Sequence, residues 1–220
     1  TNKRKIIKGI LNNCDCIYSK NEFFEVLILR LFKINPKKII FAFHTPIRYP
    51  LMKTWKSWIH NILYNSRLYG YLLSKSKILV LIESQRKLLL KISKNKNVKI
   101  IPNPVETGKF YLKEYKKSKI FRIYYIGRMT EQKGIDILYK TILNVSRTNE
   151  FSNMEFYFVG RGDQERYLEE LEKTFSNCHF LGFQHDVIKL YHKADITIAP
   201  SRWEGFPYAI LEAQSCGTPV

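Results

Sequence analysis

At 220 residues the chain is long enough for one large domain or two small ones, and its 45% apolar residues suffice for a real core. The net charge of +18 is unevenly held: residues 1–119 carry 26 Lys and Arg against 6 Asp and Glu, and residues 120–220 carry 11 against 13. That split points the first half, and not the second, towards a polyanion or an anionic membrane surface.

Nowhere do some eighteen apolar residues run together, so no transmembrane helix is expected. Residues 1–13 are basic but lack the apolar stretch of a signal peptide. Cys14, Cys16, Cys178 and Cys216 show no paired spacing and read as reduced thiols of a cytosolic protein; Cys14-Asp-Cys16 is too tight and too isolated for zinc.

In chain order, residues 14–19 read as a short strand and 22–33 as an apolar helix. Lys38 to Phe43 reads as a buried strand that ends in the loop His44-Thr-Pro-Ile-Arg-Tyr-Pro50. Polar loops at the C-terminal ends of strands are where open α/β sheets bind ligands, which makes His44 a candidate site residue. From Leu51 to about Ser74 the spacing predicts one long helix, with Leu51, Trp55, Trp58, Ile62, Tyr69 and Leu73 near helical period and Lys53, Lys56 and Arg67 among them. No Asp or Glu occurs between Glu25 and Glu83, so this helix fits an interfacial element on anionic lipid headgroups. A strand at 77–82, a helix capped by Ser84 and a strand at 97–101 follow. Pro102 to Gly108 and the Lys-rich run to Lys119 break both periods, and 106–119 is the expected linker between domains at 1–105 and 120–220.

The second half alternates regularly. Strands are expected at 120–126, 154–159, 179–181 and 195–199, with helices to about 148 and at 164–175 and 186–193. Alternating β and α with buried strands predicts a parallel, doubly wound sheet. The first half keeps the same rhythm, so two similar domains with a cleft between them are expected. Three loops follow strands here: Gly127-Arg-Met-Thr-Glu-Gln-Lys-Gly134, Gly160-Arg-Gly-Asp163, and Pro200 to Phe206. Gly127 lets backbone approach a phosphate, while Arg128 offers a planar fork and Lys133 a point charge. Pro207 suits the first position of the last helix, whose free N–H groups form an anion site. Glu204 then lies in the loop at the helix mouth and Glu212 about one and a half turns inside, two carboxylates able to hold sugar and ribose hydroxyls.

Gly127-Arg128 with Lys133-Gly134, Gly160 with Gly162, Phe180-Leu-Gly182, Ala194-Asp195, Pro200-Ser201 and Glu204-Gly-Phe-Pro207 with Glu212-Ala213 span nearly all of residues 120–220. In this order they resemble the donor-binding domain of the family 4 retaining glycosyltransferases, which have two Rossmann-like domains in the GT-B arrangement and include lipopolysaccharide and capsule mannosyl- and glucosyltransferases. His44-Thr-Pro with Arg48-Tyr49, Ser84, and Ile101-Pro-Asn-Pro-Val-Glu106 resemble the acceptor domain more loosely. The resemblance implies an α/β fold of two Rossmann-like domains, both incomplete in this chain. Val220 falls where a strand should begin, and the family's first Gly-rich strand has no counterpart. Pro104 stands where the family usually has Gly.

The resemblance also implies the chemistry. Gly127, Arg128 and Lys133 would hold the donor diphosphate, and Glu212 the ribose. Glu204 and the Gly205, Phe206 and Pro207 backbone would hold the donor sugar, with His44 and Glu204 as the catalytic pair. No metal and no cofactor is expected, the donor being GDP-mannose or a UDP-hexose. The acceptor would be lipid-linked or a polysaccharide, reached from the inner face of the cell membrane in cell-surface glycan synthesis. Alternatives are a same-fold sugar-nucleotide epimerase or an inactive fragment. A nucleic-acid-binding protein is disfavoured, because the charge lies outside the second domain and no recognition motif is present.

Overall fold

A computed structural model of the chain describes residues 2–20, 23–44, 47, 55–93, 95–112 and 119–220, and does not describe the side chains of residues 2, 55–57 and 65. The chain forms two compact units: Thr1–Asn103 with Glu204–Phe206, and Pro104–Trp203 with Pro207–Val220.

The first unit holds β1 (Ile17–Ser19), β2 (Ile39–Phe43), β3 (Lys77–Val80) and β4 (Val98–Ile100) in that spatial order, every neighbouring pair parallel. The registers place Ile17 beside Ile39 and Ile40 beside Lys77. In β2 four of five side chains are buried, as expected of a parallel strand covered on both faces. The connecting helices are α2 (Phe23–Leu31), α3 (Trp55–Asn65), α4 (Arg67–Leu73) and α5 (Glu83–Ser93), with α1 (Asn2–Asn13) ahead of β1. Phe41, Phe43, Ile78, Val80, Val26, Tyr69, Leu73 and Leu89 form the core.

Two expectations change here, and one stretch read only for its charge gains an element. The basic residues 2–13 form a helix, α1. The single helix expected at 51–74 is two, because Ser66 turns extended (φ −71°, ψ 149°) and its hydroxyl accepts the Tyr69 N–H at 3.0 Å, an N-cap that starts a new helix. Residues 51–54 of that span, with Leu51 and Lys53, lie outside the described residues. Ser84 does not cap α5, which begins one residue earlier at Glu83. In the loop after β2, residues 45, 46 and 48–50, Arg48 and Tyr49 included, also lie outside the described residues.

The second unit is built from β5 (Phe121–Ile126), β6 (Met154–Val159), β7 (Cys178–Gly182) and β8 (Ile196–Thr197) in the spatial order β7-β6-β5-β8, again all parallel. Its helices are α6 (Ile135–Val145), α7 (Arg166–Thr174), α8 (Ile188–Lys193) and α9 (Tyr208–Ser215). Phe156, Phe158, Tyr125, Met129, Leu138, Ile142, Leu168 and Leu171 fill the space between sheet and helices. Asp195 ties β8 into this sheet from the strands' N-terminal side: one buried carboxylate oxygen accepts the Arg122 N–H at 2.7 Å and its Nε at 3.3 Å.

The chain passes from one unit to the other at Asn103–Pro104, and part of the segment read as a linker is packed. Phe110 is buried with Tyr191, Ala213 and Cys216, and the Tyr111 carbonyl lies 2.9 Å from His192 Nε2. Residues 113–118 lie outside the described residues.

Candidate functional site

In the second sheet the strand order reverses between β5 and β8: from β5 the chain moves to β6 and β7 on one side, then returns to place β8 on the other. An open parallel sheet has its ligand crevice at such a switch point, beyond the C-terminal strand ends. The loops that leave β5 and β8 therefore define the candidate site, and they are the loops of Arg128, Lys133 and the 200–207 stretch.

Backbone bonds lock these loops together. Gly127 N–H donates to the Val159 carbonyl at 3.0 Å, Met129 N–H to Arg161 at 2.9 Å, and Arg202 N–H to Gln132 at 2.8 Å. Tyr125 hydroxyl donates to the Arg128 carbonyl at 2.6 Å, fixing the backbone that carries this guanidinium. Two glycines permit the approach. Gly160, at φ 138°, faces the Gly127 carbonyl, and Gly134, at φ 70°, faces the Pro200 carbonyl; a Cβ at either would collide with that oxygen.

Arg202 is the side chain that fastens the β5 and β8 loops. Its two terminal nitrogens make a fork onto Asp136, each bond 2.7 Å, and Nη1 also donates to the Glu131 carbonyl at 2.7 Å. Gln132 Nε2 adds a bond to the Trp203 carbonyl at 3.2 Å. The Arg202 guanidinium holds the Asp136 carboxyl below the usual carboxylate range, chiefly through these hydrogen bonds. Sequence reading gave Arg202 and Asp136 no role. The available signal was an acid in the first turn after Gly134, where a helix N-terminus favours one.

The last helix starts one residue later than expected. Pro207 takes the N-cap position with extended geometry (φ −76°, ψ 125°), and α9 begins at Tyr208. The N–H groups of Tyr208, Ala209 and Ile210 have no acceptor within the helix, as at any α-helix start. Glu212 stands in this helix as predicted, and its Oε2 accepts the hydroxyl of buried Tyr191 at 3.0 Å. Burial first, then the Glu212 carboxylate, push the Tyr191 phenol far above its ordinary value, so it remains a hydrogen-bond donor. Tyr191 is a third residue to which the sequence assigns no role: it orients the carboxylate.

The remaining candidates lie in the first unit. His44 follows β2 directly and is exposed, with Nε2 2.6 Å from the Tyr18 hydroxyl. Glu204–Phe206 belongs to the same unit. There a Cβ on Gly205 would stand 2.7 Å from the His44 carbonyl oxygen, and the Phe206 carbonyl accepts from Asn103 Nδ2 at 2.6 Å. His44 and the 204–206 tripeptide are thus neighbours through backbone packing. Within the second unit Gly127, Arg128 and Lys133 share the β5 loop, which is tied to residues 200–203, while Glu212 is held separately by Tyr191.

Residues 120–220 match the family described as Glycosyl transferases group 1. The chain is thus similar, in its second half, to group 1 glycosyltransferases. Its two parallel α/β sheets have the GT-B fold: HepE of Anabaena, solved in complex with UDP, aligns with a TM-score of 0.69 at 18% identity over 99% of this chain and 62% of that one. An uncharacterized glycosyltransferase of Methanocaldococcus jannaschii is 35% identical over 44% of this chain and 26% of its own length. The UDP-Gal:α-D-GlcNAc-diphosphoundecaprenol α-1,3-galactosyltransferase of Escherichia coli is 31% identical over 56% of this chain and 35% of its own. A 41.2 kDa protein from the cps region of Klebsiella pneumoniae is 29% identical over 98% of this chain. The chain spans from 26% to 62% of the length of these three relatives. Among its described residues no helix is long and apolar enough to cross a membrane.

Proposed function

We propose that the chain is the core of a retaining hexosyltransferase that moves a hexose from a nucleotide-diphosphate sugar to a lipid-linked or polysaccharide acceptor in cell-surface glycan synthesis. The observation that carries this reading is the β5/β8 switch point, where the loop of Arg128 and Lys133 is bonded to the loop that leads into α9. The E. coli relative, by its name, uses UDP-galactose and a lipid-diphosphate-linked acceptor, and HepE was solved with UDP.

The chemistry follows from charge. As the bond between the sugar's anomeric carbon and the diphosphate oxygen breaks, negative charge grows on the departing diphosphate. The Arg128 fork, the Lys133 ammonium and the three free N–H groups of α9 can meet that charge without a metal ion. Glu212, oriented by Tyr191, accepts from the ribose hydroxyls. Glu204 and the backbone of Gly205, Phe206 and Pro207 accept from and donate to the hydroxyls of the transferred hexose. His44, at the end of β2, contacts the same hexose, and with Glu204 forms the catalytic pair. The reaction runs at the inner face of the cell membrane.

Calorimetric titration with UDP-glucose, UDP-galactose and GDP-mannose tests the donor site. One of the three is expected to bind, and Arg128→Ala or Glu212→Ala to weaken it by about tenfold or more. Tyr191→Phe should cost about fivefold, the worth of one neutral hydrogen bond. If no sugar nucleotide binds, or if Glu212→Ala binds as tightly as the unaltered chain, the assignment fails.

A further inference from the structure

Among the described residues, the helix layer of the first unit has an outer surface that stays exposed. β1 to β4 stand in chain order and all parallel, so right-handed crossovers bring α2, the α3–α4 pair and α5 to one face of the sheet. The inner sides of these helices pack tightly. Phe23 stacks on Tyr69 with centroids 5.7 Å apart, the Phe23 N–H donates to the Tyr64 hydroxyl at 2.9 Å, and Arg30 Nε donates to the Leu72 carbonyl at 2.6 Å.

Their outer sides are apolar as well. On α2, Phe23, Val26 and Leu29 are buried, while Phe24, Ile28 and Leu31 form a second stripe at i, i+4, i+7 that faces outward. Phe24 is 69% exposed, Trp58 of α3 66% and Tyr71 of α4 75%. A surface helix in water carries a polar outer side, so a helix apolar on both sides needs a second apolar or amphipathic surrounding.

The charge around this surface selects the occupant. From residue 26 to residue 82 the chain has no Asp or Glu. Of the acids on the helix layer, Glu25 accepts the Ser19 hydroxyl at 2.7 Å and Glu83 pairs with Arg86 at 3.0 Å. Lys33, Arg67, Lys75, Lys87 and Lys91 are exposed on the same helices or at their ends. A second copy of the chain would bring like charge against like, which opposes association. Negative headgroups above an acyl layer match both features.

We propose that the outer surface of α2, α3 and α4 docks on an anionic phospholipid bilayer, with Phe24, Ile28, Leu31, Trp58 and Tyr71 entering the acyl boundary. This replaces the single interfacial helix expected at 51–74: Tyr69 and Leu73 of that stripe are core, and α2 supplies much of the contact. Docking deepens the reading of a lipid-linked acceptor and rests on it for its purpose, since it would bring the enzyme to where such an acceptor lies.

Co-sedimentation of the chain with vesicles of phosphatidylglycerol and phosphatidylcholine in equal parts, and with phosphatidylcholine alone, tests it. Binding to the anionic vesicles is expected to weaken by about tenfold or more in Phe24→Ser/Ile28→Ser/Leu31→Ser and in Arg67→Glu/Lys87→Glu. Because all five positions are at the surface, sugar-nucleotide binding should be unchanged. Tyr71→Ser gives a milder variant if the triple one folds poorly. Vesicle binding that survives both the triple variant and Tyr71→Ser overturns the proposal, as does equal affinity for the neutral vesicles. Self-association abolished by the triple variant, without vesicle binding, would assign the surface to a second copy instead. Vesicle binding with no sugar-nucleotide binding would sink the donor-site reading and leave this one standing.

Discussion

Arg202 links two loops that lie far apart in sequence, and its role is positional. Its fork onto Asp136 and its bond to the Glu131 carbonyl hold the segment before Glu204 against the segment that carries Lys133. Arg202→Ala should lower the stability of the second unit by about 1–2 kcal/mol, because the pair is only partly exposed and doubly hydrogen-bonded. Thermal denaturation would measure this, and Arg202→Lys should recover little, since an ammonium cannot make the fork. The pH dependence has a definite sign. The Asp136 carboxyl titrates below its unfolded value, so the unfolded chain takes up that proton first as pH falls. The contribution is therefore complete above about pH 4 and fades as pH drops through the folded value. An acid titration of Asp136→Asn should lack that component; a wild-type-like acid profile in this variant would remove the pair from the account.

At the scale of elements, single polar or small residues set the boundaries. Ser66 divides α3 from α4 by one side-chain cap, and Ser66→Ala should destabilise the first unit by about 1 kcal/mol in denaturant unfolding. Gly134 ends the β5 loop with a left-handed backbone and sits against the Pro200 carbonyl. Gly134→Ala would combine backbone strain with a collision, and a loss of about 1–3 kcal/mol is expected together with loss of sugar-nucleotide binding. A Gly134→Ala chain as stable as the original would mean that the loops can part freely. These boundaries were only partly legible. The 51–74 stretch kept helical spacing across Ser66, so periodicity could not see the break, whereas the cap that makes it is a local hydrogen bond.

Over the whole molecule, the two units have separate hydrophobic cores, one around Phe41, Ile78 and Leu89 and one around Phe156, Met129 and Leu168. Two unfolding transitions are expected, and a bound sugar nucleotide should raise chiefly the one that belongs to the second unit, whose residues are proposed to hold the diphosphate and ribose. The shift should approach about 2.7 kcal/mol at a hundredfold excess over Kd. Differential scanning calorimetry with and without the donor reads both. A single transition, or equal shifts of two, would show that the donor's stabilisation does not belong to one unit. The charge follows the same division, with the basic excess in residues 1–119 and near balance after it.

The sequence by itself determined the alternation of strands and helices, the strand edges at Met154–Val159 to the residue, and the family that the second half resembles. Buried parallel strands write themselves as apolar runs, and glycines at close approaches cannot be replaced, so both signals are local. Tertiary structure alone decided that β8 lies beside β5, and with it where the sheet's switch point falls. It also decided that Arg202 meets Asp136, that Tyr191 orients Glu212, and that α2 rather than Tyr69 and Leu73 presents the exposed apolar stripe. Each of these pairs residues from separate elements, and hydrophobic period records only that a side chain is apolar, not which of two apolar sides the core will take.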